Sequence, residues 1–276
     1  VDVLLVLSLT MEIKIYKNSN NLGRYAAWKA AYFINSAISK QGYANIVLSA
    51  GASQYQMLHE LTGIDLDWRR VTVFHIDEYV GIPADHPSSF RRFLNSYFES
   101  KVALRKIHYI NGNAFNPKHE CCRLDKIISR VEIDVACLGI GENGHIGFNE
   151  PPADFKAENP FILVDVVEEF RKQQVGEEWF KTLDDVPAKA ITMSIKQIMK
   201  SKTIICSVPD GRKAQAVKNV IEGEVKENVP ASILRKHRNC WMFLDEESAA
   251  MLESPVDGRQ STAENEGFTT KGTKED

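Results

Sequence analysis

Short apolar runs alternate with amphipathic stretches along most of this chain, and that order leaves few folds open. Ile13 to Tyr16, Ile46 to Leu48, Val71 to Ile76, Ile133 to Leu138, Ala190 to Met193, Thr203 to Val208 and Cys240 to Leu244 read as strands. Between them, Leu22 to Ile38, a stretch ending at Leu61, Ser88 to Phe98, Glu120 to Ile128, Glu168 to Phe180 and Arg212 to Ile221 carry helical spacing. Strands separated by helices predict an α/β fold, with a mostly parallel sheet covered by helices on both faces, as a single domain. No internal repeat or linker interrupts it. Open sheets of this kind take ligands beyond the carboxyl ends of their strands. Three segments fall there: Ser49 to Ser53, Asp77 to Gly81 and Gly139 to Pro151.

The two ends break the pattern. VDVLLVLSLT is too short to span a membrane and has no basic head, so it makes a poor signal peptide. A strand-like segment opens at Met11, so residues 1–10 are expected to be a non-native or disordered extension. From Ser254 the chain is polar and nearly free of apolar side chains, and 254–276 are expected to form a disordered tail. The domain is expected to span 11–253.

The balance of 34 basic against 37 acidic residues leaves a net charge of −3 and no broad basic surface. That argues against nucleic acid and anionic membrane as partners, and leaves room for a small anionic molecule held by a local cation cluster. None of the five cysteines forms a C-x-x-C pair, so a zinc or thioredoxin-like site has no support. Cys137 and Cys206 sit in apolar runs as small hydrophobes. An odd, irregular cysteine set fits a reducing, cytoplasmic setting.

The most informative segment is LGIGENGHIGFNEP, Leu138 to Pro151. Its glycines allow sharp turns and close approach to a ligand. Within that frame His145 can move a proton near neutral pH, and a turning loop brings Glu150 close enough to orient it. Asn143 and Asn149 share the segment. The blander reading is a glycine-rich surface loop with an incidental histidine. A dinucleotide site does not fit, because Pro151 and Pro152 stand where its helix should run.

The second segment is HIDEYVG, His75 to Gly81. Two adjacent acids at the end of an apolar strand are costly near a core, and a carboxylate there can serve as a base on a carbon acid. The alternative is that Asp77 or Glu78 caps a turn. His75 reads as a satisfied core histidine.

Asp77-Glu78-Tyr79-Val80-Gly81 together with GIGENGHIGFNEP closely resembles the glucosamine-6-phosphate deaminase (isomerase) family. The similarity runs over roughly 11–252 and takes in His86-Pro87-Ser88, Asn111-Gly112-Asn113-Ala114 and Val186-Pro187. The resemblance implies a Rossmann-like fold. It also implies conversion of an aminohexose 6-phosphate to a ketohexose 6-phosphate and ammonia, with no metal or organic cofactor. In the family's pattern Asp77 matches the base that moves a proton between C2 and C1. His145 matches the residue that assists ring opening, and Glu150 its acidic partner. Asn143 falls where many members have aspartate. Lys213, near a helix start, matches a phosphate-binding lysine. Whether the protein forms a homo-oligomer stays open.

Two departures stand out. The family's early T-G-G-T-P loop is here Ala50-Gly51-Ala52-Ser53-Gln54, which keeps one glycine and one hydroxyl for cradling phosphate. The family's lid arginine, which precedes a Phe-Phe pair, is missing from Val175-Gly176-Glu177-Glu178-Trp179-Phe180. Glu177 and Glu178 are expected to point away from phosphate, and Arg171 is the expected substitute. These changes suggest a divergent branch, with the galactosamine isomer as another substrate. Two other readings remain. One is a 6-phosphogluconolactonase-like hydrolase, whose pattern lacks the F-N-E-P ending. The other is a non-catalytic sugar-phosphate sensor, which would not need Asp77, His145 and Glu150 together.

Overall fold

In the computed structural model, residues 11–253 are described, and the expectations for 1–10 and 254–276 lie outside the described residues. The chain runs β1 (Met11–Tyr16), α1 (Ser19–Gln41), β2 (Ala44–Leu48), α2 (Tyr55–Thr62), β3 (Val71–His75), β4 (Asp77–Tyr79), α3 (Phe90–Tyr97) and β5 (Lys106–His108). It continues through α4 (Pro117–Ile128), β6 (Val135–Leu138), β7 (Phe161–Asp165), α5 (Glu168–Gly176), β8 (Lys189–Met193), α6 (Ile195–Ile198), β9 (Thr203–Val208), α7 (Ala214–Ile221) and β10 (Cys240–Asp245). Local signals account for the helix ends. Asn18 accepts from the Asn21 N–H at the start of α1, and Gly42 closes that helix in the left-handed conformation.

Seven strands form one parallel sheet in the order β1-β10-β9-β6-β2-β3-β5. All five residues of β2 are buried, as both-face coverage requires. Alternation decides which layer each side chain joins. Ile46 and Leu48 pack with Ala27 and Ile34 of α1 and with Leu58 of α2. Val47, between them, joins Leu124 of α4 and Val217 of α7 in the opposite layer. The expected α/β architecture, with helices on both faces of a mostly parallel sheet, is the one observed.

The chain runs outward from β2 through β3 to β5, then returns to lay β6 on the other side of β2. The loops leaving β2 and β6 therefore diverge, and the crevice between them is the switch point where such sheets take ligands.

Several boundaries differ from the sequence reading. A second sheet, antiparallel in the order β4-β8-β7, pairs Asp77–Tyr79, just past the strand read as Val71 to Ile76, with the strand at Lys189–Met193. The Ile76 N–H donates to the Leu48 carbonyl at 3.2 Å in the large sheet. The Ile76 carbonyl accepts from the Met193 N–H at 2.8 Å in the small one. The run from Val71 to Ile76 thus changes sheets at its last residue. The helix read as reaching Phe180 stops at Gly176, and Glu178 follows with φ of 62°. The turn at Gly211–Lys213 is 3₁₀, and α7 proper starts at Ala214.

Candidate active site

The loops after β2, β6 and β9 converge with β4 and α5 around a cavity of about 440 Å³. Ala50 to Ser53, Asp77, His145 and Lys213 all line it. Asn143 and Glu150 stand directly behind His145. Arg171 is not among the lining residues; its Nη2 donates to the Leu183 carbonyl at 2.5 Å, which ties α5 to the following segment.

Asp77 is the first residue of β4 and is 6% exposed. Burial, reinforced by the charge of Glu78, holds its carboxyl well above the ordinary carboxylate range. Gly147 makes room for it. With φ of +58°, a Cβ at that position would lie 2.7 Å from Thr192 Oγ1 and 3.4 Å from Asp77 Oδ2. Thr192 pairs with Asp77 across the small sheet, and its hydroxyl accepts from the Phe148 N–H at 3.1 Å. That bond fixes the glycine-rich loop against the strand that carries Asp77.

Glu78 faces elsewhere. Its carboxylate accepts from Ser89 Oγ at 2.7 Å and from the N–H groups of Tyr79, Phe90 and Arg91 at 3.0, 3.2 and 2.9 Å. It satisfies free donors at the start of α3, the capping role foreseen for one of the two acids.

The His145 ring lies over Gly141, where any Cβ would overlap it. Nδ1 hydrogen-bonds Asn143 Oδ1 at 2.9 Å and lies 2.8 Å from Glu150 Oε1. With two acceptors beside it, Nδ1 carries the proton, and Nε2 is the nitrogen left to exchange a proton with a ligand. Asn143 Nδ2 donates to Glu150 Oε2 at 2.7 Å, and Asn143 Oδ1 also accepts from the His145 N–H at 3.1 Å. Glu150 Oε1 is buried and faces His145 Nδ1, whose proton it shares with Asn143 Oδ1. Burial raises the Glu150 pKa, but His145 and the Asn143 hydrogen bond outweigh it and hold the carboxyl below its ordinary range. Asn149 anchors the loop by donating to the Ile146 and Met193 carbonyls at 2.8 and 2.9 Å.

The early loop turns at Gly51, whose φ is +107°. Ser49 Oγ is buried at the cavity without a hydrogen-bond partner. Gln54, where the expected pattern has proline, donates to the Ser207 carbonyl at 3.3 Å and accepts from Ser207 Oγ at 3.1 Å. This clamps the loop to β9.

Lys213 is 8% exposed, and burial pulls its pKa down. Among the described residues no hydrogen bond or ion pair engages its ammonium. Arg212, beside it, also lines the cavity and was not singled out from the sequence. Its position after a strand end, next to a candidate anion-binding lysine, is the signal that marks it. Glu177 was expected to point away; it lines the cavity instead, and Arg212 Nη1 lies 3.3 Å from its Oε1. The guanidinium offsets the charge that made that position look unsuitable. His75 was expected to be a satisfied core residue. It is fully buried, yet neither ring nitrogen has a hydrogen-bond partner.

Among the described residues no group of three or more His, Cys, Asp or Glu side chains is placed to hold a metal ion. Among them also, no helix is long and apolar enough to cross a membrane.

Comparison with known proteins covers most of the chain. The family described as glucosamine-6-phosphate isomerases/6-phosphogluconolactonase matches residues 17–243. A glucosamine-6-phosphate deaminase of Oenococcus oeni is 39% identical over 228 residues, 82% of this chain and 94% of the relative. One from Listeria innocua is 38% identical over 225 residues, 81% of this chain and 94% of the relative. The solved structure of a monomeric glucosamine-6-phosphate deaminase superposes with a TM-score of 0.80 at 30% identity, covering 87% of this chain and 100% of that one. A 6-phosphogluconolactonase from Trypanosoma brucei has a TM-score of 0.73 at 17% identity over 88% of this chain and 99% of that one, a likeness of fold alone. By the extent of the family match and by its identity to these relatives, the chain belongs to the glucosamine-6-phosphate isomerase/6-phosphogluconolactonase family.

Proposed function

We propose that this protein converts an aminohexose 6-phosphate, either glucosamine 6-phosphate or its galactosamine isomer, to the ketohexose 6-phosphate with release of ammonia. At the coarser level it is an enzyme of this superfamily acting on a sugar phosphate. The observation that carries the finer reading is the placing of a buried, basic carboxylate and a carboxylate-backed histidine on one cavity. Asp77 and His145 both line it, and Glu150 stands 2.8 Å behind His145.

The division of labour follows from the groups. His145, with Nδ1 held by Asn143 and Glu150, exchanges the ring proton through Nε2 and opens the sugar. The open form makes the C2 proton acidic. Asp77 takes that proton and returns it to C1 through an enol-type intermediate. Its raised pKa suits this task, because a base works best when its pKa approaches the working pH. The step leaves the amine on an sp² carbon, and water replaces it as ammonia departs. Each acid–base group of this kind contributes about 10²–10⁴-fold. Lys213 and the Ala50–Ser53 loop bind the phosphate, which holds the far end of the open chain.

Ammonia release from the purified protein with each of the two aminosugar phosphates tests the reading. Release that disappears in Asp77→Asn supports it and names the epimer. No release from either, with hydrolysis of 6-phosphogluconolactone instead, would replace it with the lactonase reading.

A further inference from the structure

The phosphate end of the cavity holds more charge than a single lysine explains. Arg212 is gripped by Asp210, whose Oδ2 accepts from Nε at 2.9 Å and from Nη2 at 2.7 Å. The same carboxylate accepts from the Arg212 backbone N–H at 2.9 Å through Oδ1. Asp210 does this from a left-handed backbone, φ of 89°, which costs a non-glycine residue strain and persists here with its own N–H donated to Asp245 Oδ2 at 3.1 Å. The turn that presents Arg212 and Lys213 to the cavity is therefore held from two sides.

The remaining nitrogen is held more loosely. Nη1 lies 3.3 Å from Glu177 Oε1 and 3.6 Å from Glu142 Oε1. Glu177 caps the C-terminal end of α5, and its Oε1 also accepts from Gln173 Nε2 at 2.8 Å. Three carboxylates thus surround this guanidinium, and the two that face Nη1 make longer contacts than Asp210 does. A phosphate dianion carries more charge than a carboxylate and can compete for the Nη1 side of the guanidinium, which Asp210 leaves open. It also arrives beside Lys213, which has no direct anionic partner among the described residues.

The geometry points to Arg212 as the guanidinium that grips the substrate phosphate, held in the free protein by Glu177 and exchanged from it when phosphate binds. This rests on the sugar-phosphate reading given above. It places the arginine after β9, in place of one on the segment after α5. It also gives Glu177 a purpose: the acid keeps Nη1 from closing over the site until an anion competes for it. Asp210 stays paired throughout and fixes the direction of the fork.

The test uses calorimetric binding of fructose 6-phosphate and of inorganic phosphate to the full chain, alongside KM and kcat for the aminosugar phosphate. Arg212→Gln is expected to weaken fructose 6-phosphate binding roughly 10–100-fold and to raise KM by a similar factor, with kcat little changed. Arg212→Lys recovers only part of it, because an ammonium cannot keep the two-pronged hold of Asp210 and still direct a donor at the phosphate. Glu177→Gln is expected to tighten binding a few-fold, since it removes the competitor. If Arg212→Gln binds fructose 6-phosphate as tightly as the unaltered protein, the assignment is overturned and the deaminase reading stands. If both Arg212→Gln and Glu177→Gln weaken binding, Arg212 acts only by holding α5, and the assignment again falls. If the unaltered protein binds neither probe, the assignment and the sugar-phosphate reading fall together. Fructose 6-phosphate binding without ammonia release removes the deaminase reading alone, and the variants still decide the role of Arg212.

Discussion

Glu78 Oε2 accepts a hydrogen bond from Ser89 Oγ at 2.7 Å, which commits the second of two adjacent acids to the start of a helix and leaves Asp77 to the cavity. The pair should therefore separate cleanly on substitution. Asp77→Asn is expected to cut kcat by about 10²–10⁴-fold while the protein unfolds at or above its usual temperature. Glu78→Gln leaves donors at the start of α3 without an acceptor and is expected to cost about 1–3 kcal/mol of stability. Parallel thermal unfolding and steady-state kinetics check both; a stability loss in Asp77→Asn as large as in Glu78→Gln would contradict the division.

The pH profile should carry the signature of Asp77. On the proposed reading Asp77 works ionised, and its pKa is raised by burial and by Glu78. Activity is therefore lost as pH falls through a value above the ordinary carboxylate range. Removing the neighbouring charge in Glu78→Gln lowers that pKa, so the acid limb of kcat/KM is expected to move to lower pH. A limb that stays in place in this variant would assign it to another group.

The ring of His145 sits where Gly141 has no side chain. Gly141→Ala should displace the ring and lower kcat about 100-fold or more, with fructose 6-phosphate binding largely kept. Glu150→Gln keeps the shape but loses the charge beside Nδ1, and kcat is expected to fall by about 10–100-fold. Single-turnover kinetics distinguish these losses from slow product release.

His75 sets a different pH dependence, one of stability. Burial, with Arg91 nearby, lowers its pKa from 6.5 to about 3. Below pH 6.5 the unfolded chain protonates this histidine while the folded protein does not, so the unfolded state binds more protons and stability falls as pH falls. The slope is about 1.4 kcal/mol per pH unit across that window. His75→Phe removes the proton-binding difference. Its unfolding temperature relative to the unaltered protein should be higher at pH near 5 than at pH near 8, within the range of about 4–8 that spans most of the window. Equal differences at both values would show that another group dominates.

Much of the large sheet was legible because its strands are buried on both faces and read as apolar runs. Of the small sheet, only β8 was. In the large sheet the edge strand β5, Lys106–His108, was missed: it is three residues long, with Lys106 exposed, and carries no alternation to read. β7 ends in exposed Asp165 and follows Pro160. β4 was hidden because Ile76 joins it to β3 without a loop. At the site, Asp77, His145 and Lys213 were found through a motif, and the structure brings all three to one cavity. Arg171 was favoured because it lies on the same stretch as the missing arginine, and spacing along a helix says nothing of which way a long side chain leaves it. Arg212 belongs to a loop after another strand, and only the fold brings that loop beside α5.

The passage of Ile76 from one sheet to the other has a consequence for how this protein tolerates insertion and deletion. The neighbouring loops can change length with little effect on the framework, as loops in such enzymes do. His75, which pairs with Leu48 in the large sheet, and Ile76, which leads into Asp77 in the small one, have no such freedom. One residue added there would put the acids out of phase and turn the helix-capping carboxylate toward the cavity. Asp77 is therefore anchored in strand phase, and a loop transplanted from a relative would bring a histidine but not this carboxylate.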